Sequence, residues 1–587
     1  MDYAVIADAY RKIESTTKRL EMTDILVDLL RNTSKDIVTK IVYLTQGKLY
    51  PDFVGIEIGI AEKLAIKSLV RASGRKESEI LSDLQKTGDI GQVAENQLAK
   101  KKQATFFSKT LTVEHVYESF DKMAKTTGSG AVDMKTAVFA GLLSDASPKE
   151  AKYIIRTATG NLRLGIADMT VLEALAIAYG GGKEARGPIE RAYNICSDLG
   201  RVSEILVREG LDAIKKMQVK VFEPIRPMLA ERLPSPEEIL EKLNGKCLAE
   251  YKYDGERIQA HKQGNNVALY SRQLENISSQ YPDVADLIRK QVKAQEAIFE
   301  AECVAVDIET GDLRPFQELM HRRRKYDIET AIEQYPISLY TFDLLFVNGK
   351  DLTCEPLTDR RAILEEVLNK NIQLQIATQK VANNTKELED FFEKAIEEGC
   401  EGLMCKSITK DSVYQAGNRG WLWIKYKRDY KSEMTDTVDL VVVGAFHGRG
   451  KRAGAYGALL LAAYNKEKDI FETVTKCGTG FTDKDITDLH TILQNHVIPR
   501  KHARILSMME AEVWFEPFVV LEILGAEVTL SPIHMCAMES IRKDSGLAIR
   551  FPRFTGKYRT DKSPQDATTA REVVEMYQNQ LKQINQT

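Results

Sequence analysis

From the first residue to about position 222, apolar side chains recur at the three-to-four-residue spacing of amphipathic helices. "TDILVDLLRN" and "TVEHVYESFDKMAK" are clear instances, and strand-like alternation is scarce here. "SPKEAKYIIRTAT" adds a start signal: Ser147 as N-cap, Pro148 at the first helical position, and Glu150 completing a capping box. The pattern then changes. "FEPIRPMLAERLPSP" at 222–236 carries four prolines in fifteen residues and reads as a linker. Beyond it come short runs with strand-like composition: "NVALYS", "FEAECVAVD", "ISLYTFDLLFV", "EGLMCK" and "WLWIKYK". Helical segments such as "TDRRAILEEVL" lie between them, which predicts a mixed α/β domain.

Near 432 the texture shifts again. "DLVVVGAFHGRG", "GALLLAAYN", "FETVTKCG" and "VVLEILGAEVTL" read as strands joined by Gly-rich turns, a meander suited to a small closed barrel. The last segment, "SPQDATTAREVVEMYQNQLKQ", has helical composition, with Ser563 as its expected cap. The predicted organisation is therefore 1–222 all-α, 223–432 α/β (α+β), and 433–587 a β-barrel followed by a C-terminal helix.

Length agrees with several domains, since 587 residues exceed one ordinary core. The formal net charge is only -3, so any polyanionic partner has to be held by local basic patches. The N-terminus lacks a signal-peptide pattern and no apolar run approaches a bilayer span, so a cytoplasmic protein is expected. Eight cysteines without a CxxC pair predict buried thiols, neither a zinc ribbon nor a disulfide framework. The eight histidines form no HExxH, which argues against a zinc hydrolase.

One short stretch, "EYKYDGER" at 250–257, crowds charge beside apolar segments. By itself Lys-x-Asp-Gly reads as a hairpin turn with a solvent-facing lysine. Its context points elsewhere. "EYKYDGERIQAHK" is followed in order by "YSRQLEN", "FEAECVAVD", "FQELMHRRRK", "YTFDLLFVNGKDL", "CEGLMCK", "WLWIKYKRDY" and "GLAIRFPRF". This series resembles the nucleotidyltransferase motifs of ATP-dependent DNA ligases, most closely the archaeal replicative type and its eukaryotic DNA ligase I relatives. The resemblance spans the whole chain. It implies a helical DNA-binding domain, an adenylation domain and an OB-fold domain. The helical N-terminal region disfavours mRNA capping enzymes, which lack it.

The resemblance also implies a reaction. A lysine amine attacks the α-phosphorus of ATP, the AMP passes to the 5′-phosphate at a nick, and the 3′-hydroxyl seals the strand in replication, repair and recombination. Lys252 matches the nucleophile. A lysine amine is ordinarily protonated at neutral pH, so neighbouring cations and burial would help it shed its proton. Arg257 and Arg272 match positions that contact ribose and phosphate, where planar guanidinium forks suit bidentate contacts. Glu302 and Glu401 match carboxylates that hold Mg²⁺ (Mn²⁺ as an alternative) or ribose. Phe342 matches the aromatic that stacks on adenine, and Glu250 the residue at the adenine edge. Lys425 and Lys427 alternate and so share one strand face, where the family's lysines reach the α-phosphate; Arg419 matches a further phosphate contact. Residues 542–562 hold seven Lys or Arg against two Asp, and Arg550, Arg553 and Lys557 match positions that orient pyrophosphate.

Nick sealing needs duplex DNA gripped without sequence readout. "TATGNLRLGIADMT" at 157–170 resembles the family's DNA-contacting loop, with Gly160, Asn161, Arg163 and Gly165 as candidates; an ordinary interhelix loop is the alternative. "KKQATFF" at 101–107 resembles a shortened clamp-binding box, so Gln103, Phe106 and Phe107 are expected to dock on a PCNA-type sliding clamp. Core packing is the competing reading for the two phenylalanines. The expected protein is a nucleoid-associated monomer acting on nicked double-stranded DNA. The rivals are an RNA ligase, a GTP-using guanylyltransferase, and a catalytically silent DNA- or clamp-binding scaffold.

Overall fold

The computed structural model describes residues 1–100, 110–306, 313–314, 316–322, 328–369, 371–427, 437–448, 454–525, 527–531, 533–550 and 552–586. Two compact units emerge: Met1–Gly74 with Ala94–Lys427, and Arg75–Val93 with Arg428–Thr587. Among the described residues no helix is long and apolar enough to cross a membrane.

The N-terminal region is helical, as its periodicity predicts. Arg19–Arg31 and Val113–Lys125 are helices, the second capped by the Thr112 side chain, which accepts from the His115 N–H. Helix Pro148–Ala158 starts with the expected capping box. Ser147 Oγ accepts from the Glu150 N–H, and the Glu150 carboxylate accepts from the Ser147 N–H at 2.8 Å.

The central region builds two sheets from strands β1 (Leu229–Arg232), β2 (Cys247–Lys252), β3 (Glu256–Gln263), β4 (Asn266–Ser271), β5 (Glu296–Ala305), β6 (Ile337–Val347), β7 (Lys350–Asp351), β8 (Leu374–Ile376), β9 (Gln379–Ala382), β10 (Gly402–Lys406) and β11 (Arg419–Lys427). One sheet runs β1-β11-β10-β2-β9; the other runs β4-β3-β5-β6-β7, with β8 beside β6. Alternation along each strand separates two faces. In the first sheet Ala249, Tyr251, Leu403, Cys405 and Ile424 pack against Leu388, Phe391 and Ala395 of helix Thr385–Glu397. In the second, Ile258, Phe299, Ala301 and Leu339 pack with Val284 and Ile288 of helix Pro282–Gln291. Burying each such aliphatic or aromatic side chain contributes roughly 1.5–3 kcal/mol. The opposite faces are left for polar residues.

Two readings change here. The Pro-rich 222–236 stretch is more than a linker, because β1 within it pairs in parallel with β11. Prolines at its flanks leave Leu229–Arg232 free to donate ladder hydrogen bonds. The Asp254-Gly255 step is not a hairpin turn. β2 pairs with β10 and β9, β3 pairs with β4 and β5, and the step carries the chain from one sheet to the other.

In the second unit the predicted meander is present as β12 (Val438–His447), β13 (Tyr456–Asn465) and β14 (Ile470–Cys477). Next come helix Asp483–Gln494 and strands β15 (Val497–Ile498), β16 (Ile505–Leu506), β17 (Val513–Phe515), β18 (Val520–Leu524), β19 (Glu527–Ser531), β20 (Gly546–Arg550) and β21 (Arg553–Tyr558). β12 pairs β13 on one edge, with β17 and β18 in succession on the other. Leu440, Val442, Leu461, Val474, Leu521 and Val573 are among its core residues. The terminal helix starts later than expected. Ser563 caps only the 3₁₀ turn Pro564–Asp566, and the long helix begins at Ala570 behind a box in which Thr569 and Glu572 exchange hydrogen bonds. The preference of Ser and Thr for caps holds at both sites, and the intervening "DATT" breaks the helix between them. The eight cysteines are free thiols, all buried except Cys354.

Candidate active site

A cavity of about 620 Å³ lies between the inner faces of the two central sheets. From the first sheet, side chains arrive in rows across β2, β10 and β11. Lys252 stands opposite Gly402 and Gly402 opposite Lys427; Glu250 stands opposite Met404 and Met404 opposite Lys425. The second sheet contributes Arg257, Glu302 and Phe342, and Met228, Leu229 and Ala230 close one wall. Arg272, just past β4, and Arg419, at the start of β11, are exposed residues on the rim.

Lys252, at the end of β2, donates to Glu401 Oε2, and Lys427 reaches the same oxygen at 2.5 Å. Glu401 sits immediately before β10, where its own N–H donates to the Lys252 carbonyl at 2.9 Å. Gly402 makes this junction possible. Its φ is 138°, and a Cβ there would lie 2.3 Å from the Tyr426 carbonyl oxygen. Burial raises the affinity of the Glu401 carboxyl for a proton, but Lys252 and Lys427 outweigh it and hold its pKa below the usual value. Lys425 is pushed down by burial and by Arg419, Lys427 and Lys252.

Two more carboxyls share the site. Burial pushes Glu302 up to about 7, opposed by Lys252 and Arg257 and reinforced by Glu401 and Asp254. Burial and the Glu401 charge raise Asp254 as well, while the Phe316 N–H donates to it at 3.4 Å. Acidic groups that repel one another in a buried pocket are relieved by a cation, so this donor set fits a hard divalent ion. Among the described residues no three acidic, histidine or cysteine side chains converge with metal-ligand geometry. Mg²⁺ ordinarily takes only one or two carboxylates and fills its shell with water and phosphate.

Several expected contact residues are already engaged within the protein. The Arg257 guanidinium makes a two-pronged pair with buried Glu300, at 2.7 and 3.3 Å, and donates to the Met228 carbonyl at 3.0 Å. Burial works against its charge, yet Glu300 and Tyr414 leave its pKa raised. It also stands 5.4 Å from the Phe342 ring centre. Phe342 packs edge-on against Trp423, whereas Trp421 is 43% exposed beneath Lys242. It falls ahead of the pairing with β10, which starts at Trp423, and inside the register shift against β1. Glu250 is fully buried, with Lys406 Nζ 2.6 Å from Oε2 and Arg361 3.2 Å from Oε1.

Glu300, Lys406, Arg361 and Asp254 were missed from sequence. A signal existed for Glu300: "FEAE" places it and Glu302 on one face of an otherwise apolar strand. Nothing local marks Arg361, whose neighbours read as an ordinary helix.

Of the other candidates, Gly160, Arg163 and Gly165 all have positive φ (69°, 56° and 69°) in the loop between helices Pro148–Ala158 and Asp168–Tyr179. Asn161 donates its amide to the Thr159 carbonyl at 3.1 Å. Gly160 borders a further cavity of about 820 Å³ with residues 47–52 and 55–61 and with Gln273 and Glu275. Arg550 ends β20, Arg553 begins β21, and Lys557 pairs with Glu522 at 3.1 Å. Gln103, Phe106 and Phe107 lie outside the described residues.

Known proteins match this chain throughout. Residues 2–176 match the DNA ligase N terminus, 227–427 the ATP dependent DNA ligase domain, and 452–562 the ATP dependent DNA ligase C terminal region. DNA ligase 2 of Thermofilum pendens is 55% identical over 590 residues, covering 99% of this chain and 98% of that protein. The chain belongs to the ATP-dependent DNA ligase family. The DNA ligase of Staphylothermus marinus is 52% identical across 100% of both chains. A solved structure titled "Pmar-Lig_Pre." shares the ligase's fold with a TM-score of 0.55 at 15% identity, covering 94% of this chain and 99% of that one.

The ligase therefore has the three-part architecture expected from its sequence: a helical DNA-binding domain, a nucleotidyltransferase domain and an OB-fold domain. Its family seals nicks in duplex DNA through an adenylate intermediate at the expense of ATP, and the enzyme serves DNA replication and repair.

Proposed function

We propose that Lys252 is the residue that carries the adenylate. The observation that supports this most directly is the Lys252–Gly402–Lys427 row, with Glu401 bridging the two amines at the floor of the intersheet cavity. The Lys252 amine leaves Glu401, sheds its proton and attacks the α-phosphorus of ATP. A P–N bond forms as the bond to pyrophosphate breaks. The 5′-phosphate of the nick then attacks the same phosphorus and displaces the lysine. Finally the 3′-hydroxyl attacks the activated 5′-phosphorus, and AMP leaves.

The remaining roles follow from charge. Phosphoryl transfer is governed by positioning and charge compensation. Lys425 and Lys427 face the α-phosphate, with Arg272 and Arg419 at the rim for the ribose and outer phosphates. Glu302 and Glu401 hold Mg²⁺, or Mn²⁺, which neutralises phosphate charge when bound. Phe342 stacks on the adenine, and Arg257 acts mainly by bracing this wall through Glu300. Arg550, Arg553 and Lys557 orient pyrophosphate during the first step.

The domain limits we assign are 1–222, 223–432 and 433–587. Gly160, Asn161, Arg163 and Gly165 contact the DNA backbone, a reading favoured by the run of left-handed residues that brings backbone to the surface. Gln103, Phe106 and Phe107 bind a PCNA-type clamp, and the enzyme works as a nucleoid-associated cytoplasmic monomer.

The test is a covalent label. With α-labelled ATP and Mg²⁺, wild type should give a labelled protein band that disappears when nicked DNA is added. Lys252→Ala should give none, and a labelled Lys252→Ala band would overturn the assignment.

A further inference from the structure

Glu250 presents an unusual balance. One carboxylate oxygen, Oε2, is 2.6 Å from Lys406 Nζ. The other, Oε1, is buried without any hydrogen-bond donor, although the Arg361 guanidinium stands 3.2 Å away. That guanidinium is aligned with other acceptors. It donates to the Thr341 carbonyl at 3.1 Å, to the Ala377 carbonyl at 3.5 Å and to the Gln379 side-chain oxygen. Thr341 belongs to the second sheet, and Gln379 and Glu250 to the first. Arg361, from helix Leu357–Val367, thus pins the two sheets together beneath the cavity and fixes Glu250 between two cations.

A buried acceptor without a donor is costly unless a ligand supplies one. Glu250, Ala377 and Phe342 all line the cavity. A planar base stacked there brings its edge towards Oε1. An exocyclic amine at that edge satisfies the oxygen, as in adenine. The carbonyl that guanine carries at the same position sets acceptor against carboxylate, and a site built for one hydrogen-bonding pattern rejects the other strongly.

We infer that Arg361 is the positioning residue that makes this ligase select ATP over GTP, by holding the Glu250 carboxylate with one oxygen turned to the base. The inference rests on the cavity being the nucleotide site proposed above. Without the guanidinium, Glu250 is free to turn, and discrimination against a carbonyl edge relaxes. Arg361 touches neither the reacting phosphorus nor Lys252, so the change falls on KM for the nucleotide more than on the rate of adenylation at saturation.

The experiment measures kcat/KM of self-adenylation or self-guanylation of the full-length enzyme with α-labelled ATP and GTP. Both nucleotides are used on one preparation, so the folded fraction cancels from the ratio. Wild type should prefer ATP. Arg361→Gln should lower the ATP:GTP ratio about 10-fold or more, the range expected for losing a charge-assisted contact, and Arg361→Lys should recover part of it. A folded Arg361→Gln with the wild-type ratio would overturn the inference, because a merely structural arginine alters the amount of active enzyme and not its choice of base. Gln379→Met removes the oxygen that aligns Arg361 while keeping both charges, and should shift the ratio in the same direction by less. If Arg361→Gln does not fold, an unchanged ratio in Gln379→Met overturns the inference. Wild type that labels with neither nucleotide would overturn the lysine assignment itself, an outcome distinct from a wild type that labels normally beside a variant with unchanged choice.

Discussion

Lys252, the last residue of β2, donates its amine to the carboxylate of Glu401, the residue that precedes β10. The same carboxylate also anchors Lys427, so it aligns two amines towards one point. Glu401→Gln should leave the fold in place and slow adenylate formation about 100-fold or more, the scale for removing one aligned charged group from a phosphoryl-transfer site. Rapid-quench labelling with α-labelled ATP measures this; an unchanged rate would show that Glu401 is only a counter-ion.

Gly402 has no tolerance for a side chain. Its φ of 138° is strained for any L residue, and the added Cβ meets the Tyr426 carbonyl at 2.3 Å. Gly402→Ala should destabilise the central domain by about 2–4 kcal/mol. Adenylation should fall with it, because β10 must move away from β11. Denaturant melts read together with label yield give both effects. Wild-type stability would contradict the contact.

Arg257 and Glu300 form a pair whose carboxylate is almost wholly buried. Arg257→Ala leaves that carboxylate buried with only Tyr414 and Gln259 to face it, and should cost about 3–5 kcal/mol. The double change Arg257→Met/Glu300→Met should recover much of this stability without recovering activity. A double-mutant cycle on chemical unfolding resolves the two contributions.

His261 is fully buried, with Nδ1 accepting from the Phe222 N–H at 2.9 Å and Nε2 facing Gln259 Oε1 at 3.0 Å. That geometry requires a neutral ring, and burial lowers its pKa from 6.5 to about 3. Below pH 6.5 the unfolded chain takes up a proton that the folded chain refuses. The stabilisation is therefore complete above this pH and is lost as pH falls towards about 3, by about 1.4 kcal/mol per unit. Between pH 6.5 and 5 wild type should lose roughly 2 kcal/mol that His261→Gln does not lose. Urea midpoints at the two pH values test it; parallel losses would exclude the ring.

The capping box at Ser147 and Glu150 gives a prediction at a site remote from the chemistry. Ser147→Ala should cost about 1 kcal/mol. The label yield of the central domain should not change, and a chemical melt of the full chain beside a labelling assay checks both halves.

Local order was largely decided by sequence. The spacing of apolar residues fixes the N-terminal helices, and Ser147, Pro148 and Glu150 fix a helix start, because caps and periodicity act within a few residues. The series around Lys252 likewise marks the nucleotidyltransferase, since phosphoryl transfer constrains residue types wherever they meet. Partnership was not legible there. That Asp254-Gly255 crosses between sheets, that the Pro-rich stretch supplies a strand, and that Arg361 reaches Glu250 from 111 positions away all depend on which strands pair. Pairing is set by long-range packing, and period-2 alternation says only that a residue faces one side, not what lies opposite. The sequence determined that Lys252 stands in a crowd of charges beside apolar segments. Only the tertiary structure decided that Glu401 meets it, because that contact exists solely where β2, β10 and β11 lie side by side.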